Sequence, residues 1–229
     1  MPRVQRKVIK RGKRPGASTG MILLVVGGAV IVVAVIIALA SGAFKPKTAL
    51  ATDPTGLSLC GNVPCPIKGD PNAPVTIIEV SDYNCPHCRD FNLDIEPKID
   101  EQYIQTGKVR YVVHMFNLWP ETQNITAAAW CAYDQNKFFE YHRVLFQNQG
   151  KSDPNSLASY AQQLGMDVQA FAACVNSGKH MNDVAASSRA ATAVGVNSTP
   201  SFFINNKLVV GASSFGDFQS RIEAALKSK

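Results

Sequence analysis

Cys85 and Cys88 stand two residues apart, with Pro86 and His87 between them, in the run SDYNCPHCRDF. Two thiols at this spacing meet within one helical turn. They can hold a disulfide, exchange it with another thiol, or supply half of a zinc site. Exchange needs a thiolate, and a cysteine with an ordinary pKa of about 8.5 is mostly protonated at neutral pH. Pro86 suits the first turn of a helix, where its missing N–H costs nothing. A helix starting there aims unpaired N–H groups and the positive end of its dipole at the Cys85 sulfur, which stabilises the anion. His87 can add a positive charge or a hydrogen bond. Cys88 lies one turn further in, so it is the less exposed thiol and the one placed to attack a mixed disulfide on Cys85. Cys85 is thus the expected nucleophile and Cys88 the resolving thiol, against the alternatives of a structural bridge or a half zinc site.

The elements around the pair fit this use. VTIIEV, residues 75–80, is a β-branched run of strand length, and its near-continuous apolarity predicts a central strand covered on both faces. The helix opened by Pro86 is expected to reach about Ile104, with a kink near Pro97 and a stop at Gly107. VRYVVHMF, residues 109–116, is the next strand. From Pro120 to Val194 the apolar period becomes helical. The strands SFFIN and KLVVGA follow, joined by a turn at Asn205-Asn206, and a last helix runs from about Phe215 to Lys227. The order is strand, helix, strand, a helical block, strand, strand, helix, an α/β arrangement with a CxxC at the start of its first helix.

Six cysteines allow 15 pairings. Proximity favours Cys60 with Cys65 and Cys85 with Cys88, which leaves Cys131 and Cys174 to each other. A Cys131–Cys174 bridge would constrain the unfolded chain by about 4 kcal/mol and a Cys60–Cys65 bridge by about 2 kcal/mol. The former is read as structural and the latter as a local staple, with a redox or metal role as alternatives. His114, His142 and His180 have no partner at ligand spacing and are expected to be packing or surface residues. No metal site is expected, since a copper or zinc carrier needs more soft ligands at one point than the sequence shows.

Seven basic residues fall in the first 14 positions, leaving 16 Lys and Arg against 17 Asp and Glu in the rest, so a nucleic-acid-binding body is excluded as the meaning of the net charge of +6. Residues 21–40 are uncharged and apolar, long enough as a helix to span about 30 Å of hydrocarbon. The basic flank predicts a cytoplasmic N-terminus and an exported remainder. A cleaved signal peptide is the rival reading, with Ala38-Leu39-Ala40 as its site, and it also exports the rest. The expected organisation is a basic tail at 1–20, a transmembrane anchor at 21–40, a proline-rich linker at 41–67, and a catalytic domain at 68–229.

The sequences CPHC, WCAYDQNKFFEYHRVLF and GVNSTPSFFINNK, in this order and spacing, resemble those of the DsbA-like disulfide oxidoreductases. The resemblance implies a thioredoxin fold with a helical domain inserted at about 117–194, here preceded by the membrane helix. It implies a buried acid at Glu79 beneath the resolving cysteine, similar in role to a proton relay for it, where a carboxylate in an apolar strand is costly and its pKa rises; an exposed glutamate on a strand edge is the alternative. It also implies a cis-proline at Pro200, facing the active site after Thr199, with backbone groups free to pair with an extended substrate. The activity implied is oxidation of exported cysteine-containing proteins without a cofactor, and the reoxidant implied is a membrane quinone reductase of the DsbB or VKOR type. Isomerase or reductase activity at the same site, and a non-catalytic peptide-binding module, are the alternatives. Threonine before the proline leaves the redox direction open. With a Cys85 pKa of about 3.5, the lowest for such motifs, the potential would lie above about −200 mV.

Overall fold

The computed structural model describes residues 59–61, 63–212 and 214–228. The expected basic tail, the apolar segment 21–40 and most of the linker lie outside the described residues. Among the described residues, no helix is long and apolar enough to cross a membrane.

Five strands form one sheet: β1 (Ile67–Lys68), β2 (Val75–Ser81), β3 (Val109–Met115), β4 (Ser201–Ile204) and β5 (Lys207–Val210), in the spatial order β1-β3-β2-β4-β5. β2 and β3 are parallel, and a helix, α1, crosses between them over residues 86–104. The other pairings are antiparallel, including the β4–β5 hairpin. Its turn residues Asn205 and Asn206 both take positive φ, at 44° and 67°, which the short amide side chain tolerates. Every residue of β2 and β3 is buried, as expected of a central pair covered on both faces. A two-residue edge strand, β1, was not anticipated. The end of the expected linker is also tied to the body, because Leu59 and Cys60 are buried against the sheet.

Alternation along β2 decides which residues can meet the thiols. Val75 and Ile77 point to the same side as Cys85, Cys88 and Phe91, whereas Ile78 and Val80 point into the second core cluster with Leu59, Val112 and Phe203. α1 lies on the first side with the C-terminal helix, α7 (Phe215–Lys227). Phe91, Phe202 and Phe218 interlock there, with ring centroids 4.5, 5.2 and 4.8 Å apart. Truncating Phe91 to alanine in this fully buried cluster would cost about 3–5 kcal/mol.

α1 is α-helical over Pro86–Asp90 and Glu96–Ile99, with π-helical turns at Phe91–Ile95 and Asp100–Ile104. Pro97 has no N–H to give to the preceding turn, and a widened turn instead joins the Glu96 N–H to Phe91 O. This is the form that the expected kink takes. Gly107, at φ 73°, closes the helix: its N–H bonds Ile104 O at 3.0 Å and the Lys108 N–H bonds Tyr103 O at 2.9 Å.

Between β3 and β4 lie a 3-10 turn (Pro120–Thr122) and five α-helices: α2 (Gln123–Tyr133), α3 (Phe138–Gln147), α4 (Pro154–Gln163), α5 (Val168–Asn176) and α6 (Met181–Ala193). Asp153 and Asp167 cap α4 and α5 through their carboxylates. The Cys131–Cys174 disulfide ties α2 to α5.

Candidate active site

Cys85 is the N-cap of α1, with extended backbone angles of φ −76° and ψ 117°, and Pro86 occupies the first turn as its fixed φ favours. Cys85 and Cys88 are free thiols; Cys85 is 4% exposed and Cys88 fully buried, whereas Pro86 and His87 are exposed. The expected order of exposure holds, although Cys85 shows only a small part of its surface. Its pKa is lowered to about 5. The largest cause is a hydrogen bond from the Cys88 thiol, which outweighs the opposing cost of burial; the Thr199 hydroxyl and the backbone N–H groups of Cys88 and His87 add to it. Burial, reinforced by the bond to Cys85, pushes the Cys88 thiol far up. One sulfur is therefore a thiolate at neutral pH and its neighbour holds a proton.

The Thr199-Pro200 bond is cis, and it carries the loop against the thiols. In its protonated form Cys85 donates to Thr199 O at 3.3 Å. The Thr199 hydroxyl is buried without a hydrogen-bond partner in that state, and it helps to lower the Cys85 pKa. Behind the loop, Pro200 O accepts from the Gly211 N–H at 2.8 Å, so the hairpin end of β5 holds the proline in place.

Glu79 is fully buried on the thiol side of β2. Burial raises its pKa to about 7, against hydrogen bonds from Tyr111 and Asn92 and the influence of the nearby Ser81 hydroxyl, which lower it. Tyr111 donates to one carboxylate oxygen and Asn92 Nδ2 to the other at 2.6 Å. Asn92 also donates to Cys88 O at 2.9 Å, so one amide ties the acid to the resolving cysteine's own turn. A chain of bonds fixes that amide. His142 Nε2 donates to Asn92 Oδ1 at 3.0 Å, and Tyr83 OH donates to His142 Nδ1 at 2.7 Å. Burial lowers the His142 pKa to about 3, which keeps the ring neutral and suited to one donor and one acceptor.

Two further residues hold the loop before Cys85. Asp82, fully buried, accepts from the Asn84 N–H at 2.7 Å, from the Leu118 N–H at 2.8 Å and from the Thr122 hydroxyl at 3.1 Å. Gln149, just beyond α3, donates its amide to Tyr83 O at 2.8 Å and to Cys85 O at 3.0 Å, joining the helical insertion to the active-site turn. Sequence reasoning missed Asn92, Tyr111, His142, Tyr83, Asp82 and Gln149. Only Asn92 carried a local signal, lying one helical turn after Cys88.

The structure closes the other four cysteines into Cys60–Cys65 and Cys131–Cys174. The scattered histidines do have partners. His114 is buried 3.7 Å from Cys65 Sγ, with its second nitrogen at Ser187 O, and His180 lies beside the Cys131–Cys174 bridge between Asp134 and Asp183. A bonded sulfur is not a thiolate ligand, so neither cluster presents a metal-binding donor set in this state.

The thioredoxin family model matches residues 62–224. Disulfide bond formation protein D of Bacillus subtilis is 26% identical over 183 residues, 72% of this chain and 78% of that protein. The solved structure of Wolbachia pipientis alpha-DsbA1 is similar with a TM-score of 0.64 and 26% identity, covering 71% of this chain and 90% of that one. The Na(+)/H(+) antiporter NhaA 3 of Salinispora tropica is 31% identical over 144 residues, yet the match spans only 22% of its length. That similarity lies in a part of a much longer protein. By the family match and by its likeness to these disulfide-forming relatives, the chain belongs to the thioredoxin family as a DsbA-like thiol:disulfide oxidoreductase.

Proposed function

We propose that the protein works outside the cytoplasm as an oxidase, passing the Cys85–Cys88 disulfide to cysteine pairs of exported proteins. The observation that carries this reading is the Cys85 thiol, whose pKa is lowered to about 5 at the helix start. A stabilised thiolate stabilises the reduced form alone, so the disulfide becomes the better donor. A substrate thiolate attacks Cys85 Sγ, the Cys85–Cys88 bond breaks, and Cys88 leaves. A second substrate thiol then attacks the mixed disulfide, and Cys85 departs as a thiolate that needs no proton. The Thr199–Pro200 loop beside Cys85 is where an extended substrate backbone would pair.

The printed names of the relatives, a disulfide bond formation protein and alpha-DsbA1, support oxidation over reduction. The second reading, an isomerase or reductase, uses the same two thiols, but the Thr199 hydroxyl stabilises the Cys85 anion and so adds to the case for oxidation. The two readings separate in paired assays. An oxidase oxidises a reduced two-cysteine peptide faster than it reduces insulin disulfides, and the reverse order would assign a reductase.

The same reading places the chain at the cell membrane, held by residues 21–40 with the basic tail inside. A membrane quinone reductase of the DsbB or VKOR type would restore the disulfide. Protease added to cells with a permeable envelope should digest the domain, which in untreated cells should sediment with the membranes; full protection, or a mature chain starting at Ser41, would contradict this reading.

A further inference from the structure

Glu79 and Cys88 are both fully buried, and so is the serine that shares their face of the sheet, Ser81. Ser81 follows Glu79 by two positions in β2, which puts both side chains on the side of Ile77 and Cys88 rather than on that of Val80. The backbone there is fixed, since Ser81 O accepts from the Phe116 N–H at 2.8 Å. Its hydroxyl makes no hydrogen bond of regular geometry within the protein. It is nevertheless close enough to stabilise both the Glu79 carboxylate and the Cys88 thiolate. A buried hydroxyl without a settled partner is costly, and such a group calls for an explanation.

We infer that Ser81 is the proton carrier between Cys88 and Glu79 during closure and opening of the active-site disulfide. This rests on the reading of Glu79 as the acid that serves Cys88. In closure, Cys88 Sγ attacks Cys85 Sγ of a mixed disulfide; the Cys85–Cys88 bond forms and the partner sulfur leaves with the electron pair of the broken bond. The Cys88 proton passes to Ser81 Oγ as the Ser81 proton passes to the Glu79 carboxylate. In opening, a substrate thiolate attacks Cys85, Cys88 leaves as a thiolate, and the two protons run back. Serine suits the task because one oxygen both donates and accepts. Beyond the acid, Tyr111 and Asn92 line a cavity of about 280 Å3 together with Lys68, Glu96 and Arg143. Glu79 itself does not line that cavity, and its proton would reach water there only through the two residues bonded to it.

Stopped-flow reaction of the reduced chain with oxidised glutathione resolves the two steps, mixed-disulfide formation at Cys85 and closure by Cys88. Ser81→Ala should slow closure at least tenfold, leave mixed-disulfide formation unchanged, and flatten the closure profile near pH 7. Ser81→Thr, which keeps the hydroxyl, should restore closure, and Ser81→Ala combined with Glu79→Gln should be no slower than the slower single variant. The urea midpoint of Ser81→Ala should equal or exceed that of the parent, because an unpaired hydroxyl has been removed. If Glu79→Gln slows closure and Ser81→Ala does not, the acid serves Cys88 without Ser81 and the inference is overturned. If neither slows it, the reading of Glu79 itself has failed. Equal slowing of both steps in Ser81→Ala, or a lowered urea midpoint, would mark a packing role and also overturn it.

Discussion

The lowered Cys85 pKa has a measurable consequence in how the redox potential depends on pH. With a pKa of about 5, the Cys85 thiol is ionised about a hundredfold in excess at pH 7, where an ordinary cysteine is not ionised appreciably. Two pH units correspond to about 2.7 kcal/mol in favour of the reduced form. For a two-electron couple, at about 30 mV per tenfold change, this raises the potential by about 60 mV. Thioredoxin, with a thiol pKa of about 7 and a potential of about −270 mV, already has a small part of this gain, so the protein should sit at about −220 mV with all else equal. The expectation from sequence, above about −200 mV, assumed a thiol pKa of about 3.5, and the structure lowers it. The sign follows from the proton count. Above pH 5 reduction takes up one proton, and the potential falls by about 30 mV per pH unit; below pH 5 the thiolate is protonated, two protons are taken up, and the slope is about 59 mV. Equilibration with glutathione buffers from pH 4 to pH 8, quenched by acid and read by a thiol-alkylation shift, gives the curve. A single slope of about 59 mV across that range would refute the stabilised thiolate. Glu79→Gln should leave the break in place, because the break belongs to Cys85.

Cys88→Ser should accumulate mixed disulfides between Cys85 and exported proteins on a non-reducing gel, whereas Cys85→Ser should accumulate none; matching patterns would reverse the assigned roles. Glu79→Gln should slow closure more than first attack, since the buried acid serves Cys88, and unchanged stopped-flow constants for both steps would remove that role. Cys131→Ala should lower stability by up to about 4 kcal/mol, read from urea unfolding, with turnover per folded molecule nearly intact. A large loss of turnover at full folding would give that bridge a redox part.

The chemistry of single residues made much of the site legible. Pro86 after a cysteine announced the helix start, because a proline is costly deeper in a helix, and Glu79 stood out because a carboxylate in an apolar strand is costly where it stands. β-branched runs marked β2 and β3, and the asparagine pair marked the β4–β5 turn. What stayed hidden depends on distant pairing. β1 is two residues long and exists because β3 offers it an edge, and no periodicity can be read from two residues. His142 comes to Tyr83 and Asn92 across a sequence gap of 50 residues or more, and sequence offered for it no reading beyond packing or surface. Pro97 indicated a distortion of α1 but not its form, since a proline can be absorbed by a bend or by a widened turn.

The central claim is that oxidising equivalents leave through Cys85 and Cys88. The most direct measurement incubates the fully oxidised chain with a reduced two-cysteine peptide and maps every disulfide of both by mass spectrometry after quenching. The account predicts that the peptide loses two hydrogens and gains a disulfide, one per chain, while Cys85 and Cys88 become free thiols and Cys60–Cys65 and Cys131–Cys174 stay bonded. A peptide that remains reduced, or one oxidised at the expense of another cysteine pair, would contradict it.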